Sequence, residues 1–345
     1  MTKVVKIGKL AIGGKNPVRI KGMLKSFYSK PAALIKEALG LEAEGAEAIR
    51  MAVRNPQDAV LVKDIKKEIK VPMVADVHFD WRSAAAAIDA GFDAIRLNPM
   101  NIYKPEQVAR VAAMAKDKGI SIRVGVNSGG FRRRFSHPRQ LAAMMADRAL
   151  RYTALLEKNR FFDIMVSLKG SDVVSTIEAN RIFAGKSLYP IHLGVTATGS
   201  HEEALVKSAI GIGSLLSAGI GSVIRVSLTA PSIDEIRAAK LILQALDKRS
   251  FGVEVISCPT CSRCEIDLSR IAEGIRLAFI RQPLKRRLKI AVMGCVVNGP
   301  GEAAQADIGA AFGKKHAVIF RRGKIIKRVG APGVIRELIR EARKL

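Results

Sequence analysis

VPMVADVHFDWRSAAAAIDAGFDAIRLNP, residues 71–99, contains one complete repeat of a pattern that runs through most of this chain. A compact, β-branched run, VPMVADVHF, is followed by a polar break and an alanine-rich helical stretch, and a second apolar run, AIRLNP, begins at Ala94. Runs this apolar, alternating with helical segments, predict parallel strands buried on both faces. Working outward, the same alternation recurs from PVRIKGM (Pro17) and AIRMAV (Ala48) through SIRVGVNS (Ser121) and DIMVSLKG (Asp163) to PIHLGVTA (Pro190) and VIRVSLTA (Val223). With the quoted pair these make eight β/α units, which close most naturally into a TIM-type barrel; an open doubly wound sheet is the alternative. A short hairpin-like segment precedes them. The pattern ends with the helix SIDEIRAAKLILQALDKRS, and FGVEVIS then leads into the first cysteine. The expected fold class is therefore α/β, with a barrel over residues 1–248 and a smaller α/β domain over 249–345. The strands LKIAVMG and HAVIFRRGKIIKRV and a closing helix, GVIRELIREARKL, belong to the second domain.

Four of the barrel runs contain an Ile-Arg pair followed by another apolar residue: Ile49-Arg50, Ile95-Arg96, Ile122-Arg123 and Ile224-Arg225. Strand alternation places each arginine on the face opposite its apolar neighbours, and the expectation is that they lie toward the C-terminal strand ends, where barrel enzymes build their sites. Lys169 lies near the end of the sixth run. Buried guanidinium groups need carboxylates such as Asp76 or Glu47, or an anionic ligand, and arginine matches phosphate oxygens two at a time. A diphosphate would satisfy the set. The same strand ends offer Asp76 and His78, Asn98, Asn127, and Ser171 with Asp172.

Composition narrows the class. The 345 residues are 48% hydrophobic, enough for sizeable cores, and the start MTKVVKIGKLAIGG lacks an apolar segment followed by a cleavage site. No apolar run reaches the roughly 18 residues of a membrane span, so the expected location is the cytoplasm. Lys and Arg number 58 against 31 Asp and Glu, a net charge of +27. The clusters FRRRF, LKRRLK and FRRGKIIKR invite a nucleic-acid reading. Against it stand 5% aromatic residues and a cationic surplus spread along the whole chain.

All four cysteines fall in CPTCSRC (Cys258–Cys264) and MGCVVNGPGE (Met293–Glu302). In a reducing compartment clustered cysteines are more often metal or redox groups than disulfides. A zinc ribbon wants a second Cys-x-x-Cys, whereas iron–sulfur clusters often begin with one and take a distant further ligand. Cys258, Cys261 and Cys295 are the candidate thiolates. Glu302 would make a displaceable hard ligand, leaving one iron open to a substrate oxygen. Cys264 is the competing fourth ligand and would close the cluster.

VADVHFD, IRLNPMNI, IRVGVNSG, VSLKGSD, HLGVT, VKSAIGIGSLLSAGIG, IRVSL, CPTCSR and GCVVNGPGEA occur in this order over nearly the whole chain. In these motifs the sequence resembles the (E)-4-hydroxy-3-methylbut-2-enyl diphosphate synthases of the non-mevalonate isoprenoid pathway, in their two-domain bacterial form. The resemblance implies a barrel that binds 2-C-methyl-D-erythritol 2,4-cyclodiphosphate, and a reductase-like domain with a 4Fe-4S cluster on Cys258, Cys261, Cys295 and Glu302. It implies a homodimer in which one subunit's cluster caps a barrel, and flavodoxin or ferredoxin as electron donor. Arg50, Arg96, Arg123, Lys169 and Arg225, with Ser171, would hold the diphosphate, while Asn98, Asn127, Asp76 and His78 line the pocket. Asp76, His78 and Glu302 are the residues assigned to the reaction itself, a two-electron reductive ring opening with loss of water.

Two positions depart from the family pattern. Ala197 stands where a glutamate usually follows HLG-hydrophobic-Thr, and MLKS, from Met23 to Ser26, replaces a Met-Thr-Asn-Thr-like turn. These departures motivate a second reading, a divergent paralogue that reduces another phosphorylated substrate. A basic nucleic-acid-binding protein with a structural metal is the third.

Overall fold

A computed structural model describes the chain apart from residues 132–134, 197–198, 285, 296–300, 302, 305 and 314–315. It divides into two compact units, Met1–Arg249 and Ser250–Leu345.

In the first unit, β1 (Val5–Ile7) and β2 (Leu10–Ile12) form an antiparallel hairpin. All eight predicted runs are strands: β3 (Arg19–Met23), β4 (Ala48–Val53), β5 (Met73–Val77), β6 (Ala94–Leu97), β7 (Ser121–Asn127), β8 (Ile164–Lys169), β9 (His192–Leu193) and β10 (Val223–Ile224). They pair in parallel in the order β8-β7-β6-β5-β4-β3-β10-β9, and a parallel bridge between Val166 and Ile191 joins the two ends of the series. The sheet is thus a closed barrel. A helical segment follows each strand, and the entry to several helices is written locally. Asp80 accepts from the Arg82 N–H ahead of Trp81–Ala90, and Ser200 and Glu203 form a reciprocal capping box ahead of His201–Ser217.

Val5, Ile7 and Ile12 of the hairpin pack against Ala48, Val74, Ala94, Met165 and Val223, which lie at the beginnings of five barrel strands. The N-terminal end of the barrel is therefore stoppered by apolar side chains. Alternation along each strand turns Ile49, Ile95 and Ile122, all fully buried, toward the helical layer and leaves the following residue to face the barrel axis.

In the second unit the strands are β11 (Val253–Ser257), β12 (Leu288–Met293), β13 (Ile308–Phe312), β14 (His316–Arg321) and β15 (Lys324–Gly330), hydrogen-bonded in that order. The first two pairings are parallel and the last two antiparallel. Helices Leu268–Arg281 and Val334–Arg343 supply Ile275, Phe279 and Leu338 to a core shared with Ile290 and Phe312. Strand β13, IGAAF, was not among the expected strands, because alanine and glycine carry little β signal. Its five residues are all buried at the centre of the sheet, where small side chains suit the packing. The FRRGKIIKR cluster falls on the β14–β15 hairpin, and β15 is an exposed edge whose Lys324, Lys327 and Arg328 discourage pairing with another strand. No helix among the described residues is long and apolar enough to cross a membrane.

Candidate functional site

The arginines picked out by the Ile-Arg pairs do converge inside the barrel, and they share one carboxylate. Asp76 Oδ2 lies 3.3 Å from Arg50 Nη2, and Asp76 Oδ1 lies 3.4 Å from Arg96 Nη1 and 4.0 Å from Arg123 Nη2. His78 Nε2 stands 3.6 Å from Asp76 Oδ2. Burial pushes the Asp76 carboxyl up, but Arg50, the His78 hydrogen bond, Arg96 and Arg123 outweigh it and hold it well below the usual carboxylate range. Glu47, the other acid considered from sequence, pairs instead with Arg19 and Arg249.

The arginines sit lower than strand-end placement suggested. Arg50, Arg96 and Arg123 are each the third residue of their strands, and Arg123 lies four residues before Asn127. The site therefore extends from the rim down into the barrel. Depth requires room, and glycine provides it. Arg96 Nη2 donates to the Gly125 carbonyl oxygen at 2.8 Å, and a Cβ on Gly125 would collide with Arg96 Nε. A Cβ on Gly194 would stand 2.7 Å from Lys169 Nζ. Arg123 Nη1 donates to Ser167 Oγ at 2.7 Å, and Arg225 Nη1 to Ser227 Oγ at 2.7 Å.

Sequence reading missed three residues of this interior. Lys21 and His192 are almost wholly buried, and each follows an isoleucine, Ile20 and Ile191, so the repeated signal was Ile followed by any basic residue. Glu235, at the start of helix Ser232–Ala245, is 1% exposed and accepts from Arg225 Nη2 at 3.1 Å. Lys25 Nζ lies 2.8 Å from Glu235 and donates to the carbonyl oxygens of Leu228 and Ala230. The MLKS turn is thus part of the scaffold around Arg225, and its Met23 Sδ accepts from Arg50 Nε at 2.9 Å. Ala197 lies outside the described residues.

Six basic side chains, Lys21, Arg50, Arg96, Arg123, Lys169 and Arg225, thus face two carboxylates, Asp76 and Glu235. Lys21 Nζ, Arg123 Nε and Nη2, and Arg225 Nε are buried without a hydrogen-bond partner. Buried donors left unpaired are expensive, and an anion with several oxygens would complete them.

Above this interior, a cavity of about 790 Å³ opens at the ends of β5, β6 and β7, lined by His78, Arg96, Asn98 and Asn127 with Phe79 and Phe131. Asn98 Oδ1 also accepts the Met100 N–H, which shapes the loop after β6. Ser171 is exposed on the loop after β8, where its N–H donates to Ser128 Oγ, and it does not line the cavity. Its neighbour Asp172 caps helix Val173–Ala184 through the Ser175 N–H.

In the second unit, Cys258 directly follows β11 and Cys295 comes two residues after β12, the adjacent parallel strand. The Gly294 N–H donates to Cys258 Sγ at 3.3 Å. Arg263 Nε donates to Cys261 Sγ at 3.5 Å, lowering that thiol's pKa, and its charge also faces Cys295. The Arg263 guanidinium beside Cys261 favours its thiolate, the form in which a cysteine binds a metal cluster. Cys264 Sγ donates to the Ile266 carbonyl oxygen and is half-buried against the core, close to Gly294. Among the described residues no three His, Cys, Asp or Glu side chains converge as a finished metal site, and Glu302 lies outside them.

Residues 2–240 match the family model for the GcpE TIM-barrel domain, and residues 254–344 match that for the GcpE protein C-terminal domain. The chain is 45% identical over 339 residues to the 4-hydroxy-3-methylbut-2-en-1-yl diphosphate synthase (flavodoxin) of Fusobacterium nucleatum, covering 98% of this chain and 95% of that one. It is 46% identical over 338 residues to the protein of the same name from Thermotoga maritima, covering 98% and 96%. Among solved structures, type I 3-dehydroquinate dehydratase from Clostridium difficile aligns with a TM-score of 0.53 at 15% identity, over 72% of this chain and all of the other. That likeness concerns the fold alone.

Proposed function

Because this chain belongs to the GcpE family, we propose that it reduces 2-C-methyl-D-erythritol 2,4-cyclodiphosphate to (E)-4-hydroxy-3-methylbut-2-enyl diphosphate. Two electrons and two protons enter, one carbon–oxygen bond to phosphate opens, and a neighbouring hydroxyl leaves as water. The observation that carries this reading is the set of buried, incompletely paired cations beneath the rim cavity. Such a set suits a compact anion with two phosphoryl groups and few apolar atoms.

In this reading Arg50, Arg96, Arg123, Lys169 and Arg225 hold the diphosphate oxygens and stabilise the charge on the phosphate as its bond to carbon opens. Asp76 keeps three of the guanidinium groups aligned before the substrate arrives, so little reorganisation is needed on binding. Asn98 and Asn127 face the cavity and supply neutral hydrogen bonds, while the partly exposed His78, beside Asp76, can carry protons between solvent and the site. Ser171 would reach the substrate only through its loop. Cys258, Cys261, Cys295 and Glu302 would hold a 4Fe-4S cluster; their soft thiolates and single carboxylate suit such a group. When bound, the cluster supplies electrons one at a time together with a Lewis-acidic position. Flavodoxin, which the relatives are named for, or ferredoxin would be the electron donor, and the protein would work as a cytoplasmic homodimer.

The test is anaerobic reconstitution with iron and sulfide, followed by the cyclodiphosphate and reduced flavodoxin. Formation of the allylic diphosphate is the expected result. A fully loaded protein that leaves the cyclodiphosphate unchanged would overturn the reading and favour another phosphorylated substrate.

A further inference from the structure

Lys169 Nζ and His192 Nε2 lie 3.4 Å apart in the barrel interior, both essentially excluded from solvent. Lys21, 1% exposed, is near enough for its charge to act on both, and its Nζ has no hydrogen-bond partner. An ammonium and an imidazolium at that separation would repel strongly, so the pair as it stands suits at most one charge. His192 Nδ1 likewise lacks a partner. Among the described residues, the groups facing these three offer no spare anion. Arg50, Arg96 and Arg123 add positive charge from three other strands, and Arg225 adds it from just after β10. Asp76 is shared among Arg50, Arg96 and Arg123, and Glu235 is engaged by Arg225 and Lys25.

From this geometry we propose that Lys21, Lys169 and His192 form a basic cluster, buried beyond the open cavity, that takes up a proton from solvent when the diphosphate binds. The proposal rests on the substrate class inferred above. Without ligand, burial together with the surrounding cations holds all three groups well below their ordinary pKa values. A bound anion supplies the missing negative charge and reverses the Coulombic part of that shift, so one of the three becomes charged. The positive field at the site therefore increases as substrate enters, and a proton is brought into an interior where the reaction consumes two.

The cyclodiphosphate suits the test because each of its phosphoryl groups carries a single, strongly acidic hydroxyl and does not titrate near neutrality. Its binding to the reconstituted, full-length protein is measured by calorimetry at one pH in buffers of different ionisation enthalpy, without reductant so that no turnover occurs. The expected result is uptake of about one proton per ligand, with affinity falling by up to about tenfold per pH unit as pH rises. In Lys21→Gln, which keeps a hydrogen-bonding side chain but no ionisable amine, the uptake should drop to roughly half or less. Binding with the same enthalpy in every buffer would overturn the proton uptake while leaving the substrate reading intact. No binding in any buffer would overturn both. The wild-type buffer series decides the question even if the variant does not fold.

Discussion

Replacing Asp76 with asparagine should separate the electrostatic keystone of the barrel from its shape. The side chain keeps its size, but Arg50, Arg96 and Arg123 lose the one carboxylate they share. Removing one partner of a buried ion pair costs about 3–5 kcal/mol, because the opposite charge stays buried without compensation. At about 2–4 °C per kcal/mol for a domain of this size, the unliganded variant should melt roughly 6–20 °C below wild type at pH 7. The pH dependence has a definite sign. The folded carboxyl titrates below its unfolded value of about 3.9, so its stabilisation is complete above that value and is lost as pH falls through the folded one. The two melting curves should therefore approach each other in acid. Inorganic pyrophosphate, which can occupy the vacated charge, should raise the variant's melting temperature more than that of wild type. Differential scanning calorimetry from pH 3 to pH 8 with and without pyrophosphate reads all three effects. A variant as stable as wild type at pH 7 would refute the view that Asp76 neutralises the arginines.

Gly125→Ala places a Cβ where Arg96 Nε now lies, so Arg96 must leave both Asp76 and the Gly125 carbonyl oxygen. Loss of one charge-assisted contact should raise KM for the cyclodiphosphate about tenfold or more in a steady-state assay, and an unchanged KM would show that Arg96 does not hold the substrate. Cys261→Ser should abolish cluster loading, measured as iron and sulfide per chain, whereas Cys264→Ser should load normally because the Cys264 thiol is already engaged by the Ile266 carbonyl oxygen. Equal loss in both variants would move Cys264 into the ligand set.

The barrel was legible because each strand announces itself locally. All eight β-branched runs became strands, including β9 and β10, which are only two residues long yet complete the ring. Strand β13 was illegible for the opposite reason, since a central strand of alanine and glycine is specified by what packs around it. The Ile-Arg pairs pointed correctly to converging guanidinium groups. Lys21 and His192 occupy the same inward register and also follow isoleucines, but that signal is legible only when Ile-Lys and Ile-His are counted together with Ile-Arg.

Sequence alone determined the eight β/α repeats, the inward parity of the basic residues and the grouping of the cysteines, since alternation and spacing act over a few residues. It could not assign Asp76 as the common partner of three arginines, or Glu235 as the anchor of Arg225 and Lys25. Nor could it bring Lys169 beside His192 or show that Gly125 clears space for Arg96. Those relations join residues on different strands and helices, and they exist only once closure of the barrel brings side chains distant in the chain into one poorly solvated interior. There desolvation and mutual repulsion, which are negligible in an extended chain, decide which groups are charged and which remain unpaired.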